Sequence, residues 1–420
     1  MRKLLLTFLA LSMLFISNAQ EESKFGIKLS GFIRNDAIFN SRAAFSARGE
    51  SALYLTPLAE NIDSLGNDLN ADPNFTISSL VTRIRGKITG PDAFGAKTSG
   101  LIEVDFYGVS GASYYSIRMR HALLKLDWGT TQLWAGQYWH PLWIADCYAS
   151  TVSFGAGLPY NPLSRNPQIR FIKQFGDMQF MAAILSQGTF KNKGNVSMQK
   201  AVIPEAHAQI QYKKSNGSNL FVLGGAINAK TLVIEDGFFH EAGENTVSSI
   251  SALGYCKIKT SPFTLKLWAK YGQNNDNMVM MGGYAMVNRE YTTENILYNN
   301  FEYVPIATLT GWVDFHTNGK KMQYGLFGGY SQNLGAAEAI VAGSQVGRWF
   351  DVDYMYRLAP RVVFLSGKTK IGLELEHTSV NYGKLDIDKP LQEMYADDGT
   401  VNYSEAVSNL KFILSLVYSF

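Results

Sequence analysis

Arg83, Arg85 and Lys87 stand two residues apart with Ile84 and Gly86 between them, so in an extended chain the three cations share one face. The same spacing aligns Lys28, Arg34 and Asp36 within 25–40, Glu103 and Asp105 within 97–108, and Arg118 and Arg120 within 114–128; Arg170 follows in 167–175. A stripe of fixed guanidinium and ammonium groups concentrates anions beside it, which is the chemistry of anion selection in a water-filled passage. Lys28, Arg34, Arg83, Arg85, Lys87, Arg118, Arg120 and Arg170 outnumber Asp36, Glu103 and Asp105, so a local positive excess remains even after pairing. The plainer alternative is that these charges pair to hold a wall together. Both can hold at once.

No other chemistry is written as clearly. The histidines at 121, 140, 207, 240, 316 and 377 are scattered without metal-ligand spacing, and no cofactor is implied. No Ser or Asp has a His partner that strand register places beside it, which leaves a barrel-embedded hydrolase unsupported. Two cysteines are too few for a disulfide framework. Cys147 falls in a long loop and Cys256 towards the other end of a strand, so a bridge between them is not expected.

The elements that position the charged stripe are strands. Period-two segments lie near 25–40, 75–90, 97–108, 114–128, 131–142, 167–175, 178–188, 201–213, 218–233, 247–259, 263–274, 303–317, 321–333, 347–364, 369–382 and 405–420, about sixteen in all. Very short links (91–96, 127–130, 175–177, 214–217, 259–262, 318–321 and 366–368) follow every even strand, and long polar ones follow every odd strand. That sorting predicts an all-β fold: a transmembrane antiparallel β-barrel with long external loops, short periplasmic turns and both termini in the periplasm. A soluble sandwich need not sort its connections this way.

The final segment fits the same wall. Leu410, Phe412, Leu414, Leu416, Tyr418 and Phe420 share one face, and Asn409, Lys411, Ser415 and Ser419 the other, with Ile413 and Val417 out of pattern. Turning a Lys or Arg to lipid at mid-membrane costs roughly 2–4 kcal/mol, so the cationic faces must look into the lumen. The same rule turns His207, Gln209, Gln211, Asp314, His316, Asp351, Asp353, Glu374 and Glu376 inward.

Residues 1–19 read as a signal peptide: Arg2 and Lys3, an apolar stretch from Leu4 to Ile16, then Ser17, Asn18 and Ala19. The apolar stretch is shorter than the ~20 residues of a spanning helix. Residues 20–420 then form one barrel domain in the outer membrane of a Gram-negative bacterium. The chain has 420 residues, 38 basic and 35 acidic, a balance that speaks against nucleic acid as a partner. Its aromatic fraction of 13% suits strands and interfacial girdles facing outer-membrane lipid.

The connection 143–166 is rich in small residues, Gly, Pro and aromatics and poor in charge. Such a loop folds against something, and the barrel interior leaves room for it. Phe154, Pro159, Tyr160 and Pro162 are the residues expected to narrow the passage; an external cap or a subunit contact is the alternative.

Several segments in order carry a family likeness: Gly31 to Ala37, Thr82 to Gly86, Glu103 to Gly108, Arg118 to Ala122, Ala135 to Trp139 and Pro167 to Arg170. The chain resembles the DcaP-like trimeric outer-membrane porins, by motifs over residues 25–215 and by pattern beyond. The resemblance implies a sixteen-stranded barrel, a homotrimer, and passive uptake of small hydrophilic solutes, often anionic. It departs at the N-terminus, where the first strand begins too close to Gln20 for the coiled-coil extension of some members. The phosphate-selective porins O and P are a related comparison. A non-conducting structural or adhesive barrel is the remaining alternative.

Overall fold

A computed structural model describes residues 25–46, 53–108, 111–235, 245–292, 295, 301–384 and 395–420. The signal-peptide reading of 1–19 lies outside them. Sixteen antiparallel strands close into one barrel. They are β1 (Gly26–Asn40), β2 (Asn74–Ser78 and Arg83–Thr89), β3 (Lys97–Asp105), β4 (Arg118–Asp127), β5 (Thr131–Trp139), β6 (Arg165–Phe175), β7 (Met178–Leu185) and β8 (Glu205–Asn216). The second half runs β9 (Asn219–Ile234), β10 (Thr246–Lys259), β11 (Phe263–Gln273), β12 (Tyr303–Thr317), β13 (Met322–Gly335), β14 (Val352–Ser366), β15 (Thr369–Gly383) and β16 (Ser404–Ser419). Each strand pairs with its sequence neighbours, and β1 pairs with β16 through Phe32↔Ser419 to Asn40↔Lys411. Beyond the ladder, Phe420 N–H donates to Gly31 O at 3.1 Å and accepts the return bond at 3.3 Å.

The alternation sorts as the lipid argument requires. Leu410, Phe412, Leu416, Tyr418 and Phe420 are exposed on the outer surface, while Asn409, Lys411 and Ser415 are buried inside. Ile413, out of pattern by sequence, points inward with reason: it packs with Ile38, Tyr54 and Val152, where two inward-folded loops dock on the wall.

All the short turns lie on one rim and all the long loops on the other. The strand boundaries expected from sequence stand within a few residues of those observed, the start of β14 being five later. The long loops contain structure that alternation did not announce: Ala44–Ser46 pairs with Tyr54–Pro57, and Gly282–Met286 extends the wall beside β12. The chain's main apolar core lies within the barrel. Leu53, Leu142, Ile144, Leu158, Tyr160 and Met278 to Met281 come from loops, and they meet Val222, Trp268, Trp312, Phe327 and Met355 of the wall. At about 1.5–3 kcal/mol for each large apolar side chain buried, this core holds the loops inside.

Candidate functional site: the charged wall and the loop that crosses the lumen

The β2–β3–β4 sheet builds the charged network. Register sets Arg85 opposite Glu103 and Arg83 opposite Asp105, and Asp105 opposite Arg118. Arg85 donates to Glu103 Oε2 from Nε at 2.8 Å and from Nη2 at 2.5 Å. Arg118 holds Asp105 at 2.9 and 2.5 Å. Arg120 bridges the two carboxylates, reaching Glu103 at 2.7 Å and Asp105 at 2.8 Å. A register shift at Glu103/Val104 turns both Arg120 and His121 inward, which strict alternation forbids.

The other sequence-derived residues fall around this network. Arg34 grips Asp36 at 2.8 Å and donates to the loop carbonyl of Val152 at 2.6 Å, with Phe154 stacked 5.8 Å from its guanidinium. Lys28 and Lys87 face each other across β1 and β2 near the short-turn rim, both exposed. Arg83 stacks on Phe32 and makes no hydrogen bond to a carboxylate among the described residues. Arg170 is separate: it is buried between Trp134 and Tyr138 and bonds Gln168 and the carbonyl of Trp139.

Residues 140–164, between β5 and β6, cross the interior to the opposite wall. Ser150 N–H donates to Asp314 at 2.6 Å, and Val152 and Ser153 N–H groups donate to Glu374 at 2.7 and 2.9 Å. Lys266 donates to Tyr148 O, and Arg357 to Leu158 O. The wall carries glycine where the loop sits closest. A Cβ on Gly329 would lie 2.6 Å from the Tyr160 ring, and one on Gly372 would lie 2.9 Å from Val152. Tyr160 is fully buried between Phe327 and Arg357, and Pro159 and Pro162 are buried beside it; these residues anchor the loop. Only Phe154 of the four loop residues faces the open cavity.

That cavity, about 470 Å³, lies under the loop and is roofed by Ser150 to Phe154. Its charged lining is Arg34, Arg83, Arg361 and Lys370, joined by His316, and no Asp or Glu lines it among the described residues. Arg361 was not singled out by sequence, although Asp353, Arg357 and Arg361 share one parity on β14 and the same alternation rule reaches them. The same alternation reaches Lys266 on β11, whereas Arg165 falls by sequence in the connection 143–166 and Lys125 lies beyond the register shift that changes the parity of β4. Far-wall cations meet carboxylates: Arg361 and Lys266 on Asp314 at 2.5 and 3.7 Å, Arg357 and Lys411 on Glu376.

No bridge joins the cysteines, as expected, but the loop brings them closer than their places in the chain pattern suggest. Cys147 Sγ lies 3.4 Å from Cys256 O, so the two are neighbours. Both thiols are free. Their separation in the chain pattern was no guide because the loop spans the lumen. Strand parity turns the Cys256 side chain to the outer face, and burial pushes the Cys147 thiol up to about 12, so it is a poor nucleophile.

No protein-family model and no curated protein matches the chain. Solved structures do. The outer membrane channel DcaP of Acinetobacter baumannii superposes with a TM-score of 0.68 at 15% identity, over 94% of this chain and 97% of that one. An anion-selective porin from Comamonas acidovorans gives 0.52 at 10%, over 94% and 100%. The trimer form of OmpT, an outer membrane protein of Vibrio cholerae, gives 0.52 at 10%, over 94% and 99%. The chain therefore has the fold of the porin-like outer-membrane channels.

Proposed function

We propose that this chain is a passive diffusion channel for small hydrophilic solutes that prefers anions, carboxylates among them. The observation that carries the reading is the cavity under the crossing loop, lined by Arg34, Arg83, Arg361 and Lys370 and, among the described residues, by no carboxylate. Desolvated cations beside a water-filled space attract anions and repel cations over about a Debye length, roughly 8 Å at physiological salt. The loop 140–164 sets the narrowest point, with the backbone of Ser150 to Ser153 and the ring of Phe154 at its edge. The barrel works as a homotrimer in the outer membrane of a Gram-negative bacterium, reached after removal of residues 1–19. The trimeric form known for a protein of similar fold supports that assembly.

Single-channel recording in a planar bilayer across a salt gradient tests the reading. The zero-current potential should carry the sign of anion preference. Cation preference would overturn the selectivity, and an intact barrel without conductance would make it a structural or adhesive barrel. Block of chloride current by phosphate far below the chloride concentration would favour the phosphate-selective alternative.

A further inference from the structure

Behind the crossing loop, a second and much smaller pocket of about 20 Å³ is lined by Arg83, Arg118, Arg120 and Arg165, with Trp139 and Phe154 among its apolar walls. Arg83 and Phe154 line both this pocket and the open cavity, so they form the partition between them. Arg120 and Arg165 are each only 2% exposed, and their guanidinium carbons lie 5.4 and 4.8 Å from the same Trp139 ring.

Charge around the pocket does not balance among the described residues. Glu103 and Asp105 are the only carboxylates bonded to its arginines, and Glu103 is shared with Arg85 as well. Three buried donors on these residues, Arg83 Nε, Arg120 Nη2 and Arg165 Nε, have no hydrogen-bond partner among the described residues. Buried guanidinium donors without an acceptor are strongly destabilising, and a water molecule would supply an acceptor but no charge. The volume is about that of a single water-sized sphere. It excludes a carboxylate-bearing solute or a phosphate and admits a monatomic anion.

We propose that this pocket is a resident halide site, chloride under ordinary conditions. The ion would accept from the unpaired arginine donors, exchange past Arg83 and Phe154, and hold the arginine cluster together behind the loop. The site is independent of the channel's ion preference, since its ion stays in place while solutes pass through the open cavity.

The test uses the full-length barrel purified in detergent. Crystals grown in sodium bromide should show an anomalous bromide peak between Arg83, Arg120 and Arg165. In solution, the unfolding temperature should rise and saturate with chloride or bromide but not with gluconate at equal ionic strength. Arg165→Met should abolish the halide dependence, and Arg165→Lys should keep part of it with affinity about tenfold weaker, the loss expected for one impaired charge-assisted hydrogen bond. A pocket without a bromide peak in crystals that bind bromide elsewhere overturns the proposal. So does an adventitious ion only: a peak with no halide effect on wild-type unfolding. If Arg165→Met fails to fold, the wild-type peak and its halide-dependent unfolding decide alone. A bromide peak in a cation-preferring pore would sink the selectivity reading and leave this one standing.

Discussion

Two regions of the barrel interior carry buried cations and treat them in opposite ways. Along β1–β6 they include Arg34, Arg83, Arg118, Arg120, Arg165 and Arg170, with the exposed Arg85 beside them, against Asp36, Glu103 and Asp105, and several reach the open cavity or its partition. Around β8–β12 the interior is filled. Lys230 Nζ donates to Asn192 Oδ1 at 3.1 Å, Asn274 O at 2.5 Å and Asn277 Oδ1 at 2.7 Å, and Lys270 is capped by Asn275. His140 and Asn228 likewise close on Glu205 at 2.8 and 2.7 Å. A cation whose donors are saturated by fixed amides adds stability and little field. A cation left partly unpaired beside water adds a field that a passing ion feels. Position relative to the cavity, more than the number of charges, separates the pore wall from the scaffold.

The sharpest way to break the comparison is to neutralise each side. Replacing Arg83, Arg85, Arg118 and Arg120 together with Gln should move the zero-current potential towards cation preference, and the effect should shrink near 1 M salt, where screening shortens to ~3 Å. An unchanged potential would make the near wall structural pairing, no different from the far side. Next in size is the loop. Deleting about ten residues around Phe154 to Asn161 should raise single-channel conductance severalfold and admit larger solutes, because the strand ladder does not depend on them. Gly329→Val should do the same more weakly, since its side chain displaces Tyr160 and overpacking of this kind costs about 1–3 kcal/mol. Normal conductance from folded barrels of both variants would put the constriction elsewhere.

On the filled side, Lys230→Met should leave the zero-current potential where it was. It should lower stability in urea by about 2–5 kcal/mol, because three acceptors lose their donor in a dry site. A shifted potential would mean that ions pass near Lys230. The smallest effect is a pH slope. Asp276, in the loop after β11, is raised to about 6 by burial, against the opposing pull of Lys230, Arg348 and the Asn192 and Lys193 donors. The folded state then binds its proton more tightly than the unfolded chain, whose value is near 3.8. The stability it contributes is full below that value and is lost as pH rises to about 6, at most about 3 kcal/mol. Asp276→Asn should flatten the urea midpoint over pH 4–6; an unaltered slope would assign it to another group.

The strands and the inward face were legible because lipid enforces a strict rule on each residue. Arg83, Arg85 and Lys87 cannot face hydrocarbon, so their alternation with Ile84, Gly86 and Ile88 had one reading. The same rule turns Asp353 inward and, carried further along β14, reaches Arg357 and Arg361. His121 was not accessible this way, because the bulge at Glu103/Val104 changes the parity of β4 and no residue type announces it. Tyr160, Pro159 and Pro162 fall by sequence in the connection between β5 and β6, but whether each faces the cavity or the wall depends on Gly329 and Phe327, more than 160 residues away.

By itself the sequence determined the barrel, its strand number, its loop and turn rims, and the cationic stripe of β1–β6, because local alternation and the cost of charge in lipid act residue by residue. Which cations are spent on carboxylates, which are capped by amides and which remain beside water was decided only by the tertiary structure. The loops that fold inside bring residues such as Val152 and Glu374, or Asn192 and Lys230, together across the lumen. Those contacts arise from burying the loops' apolar side chains in the barrel's interior, and that burial leaves no local period in the chain.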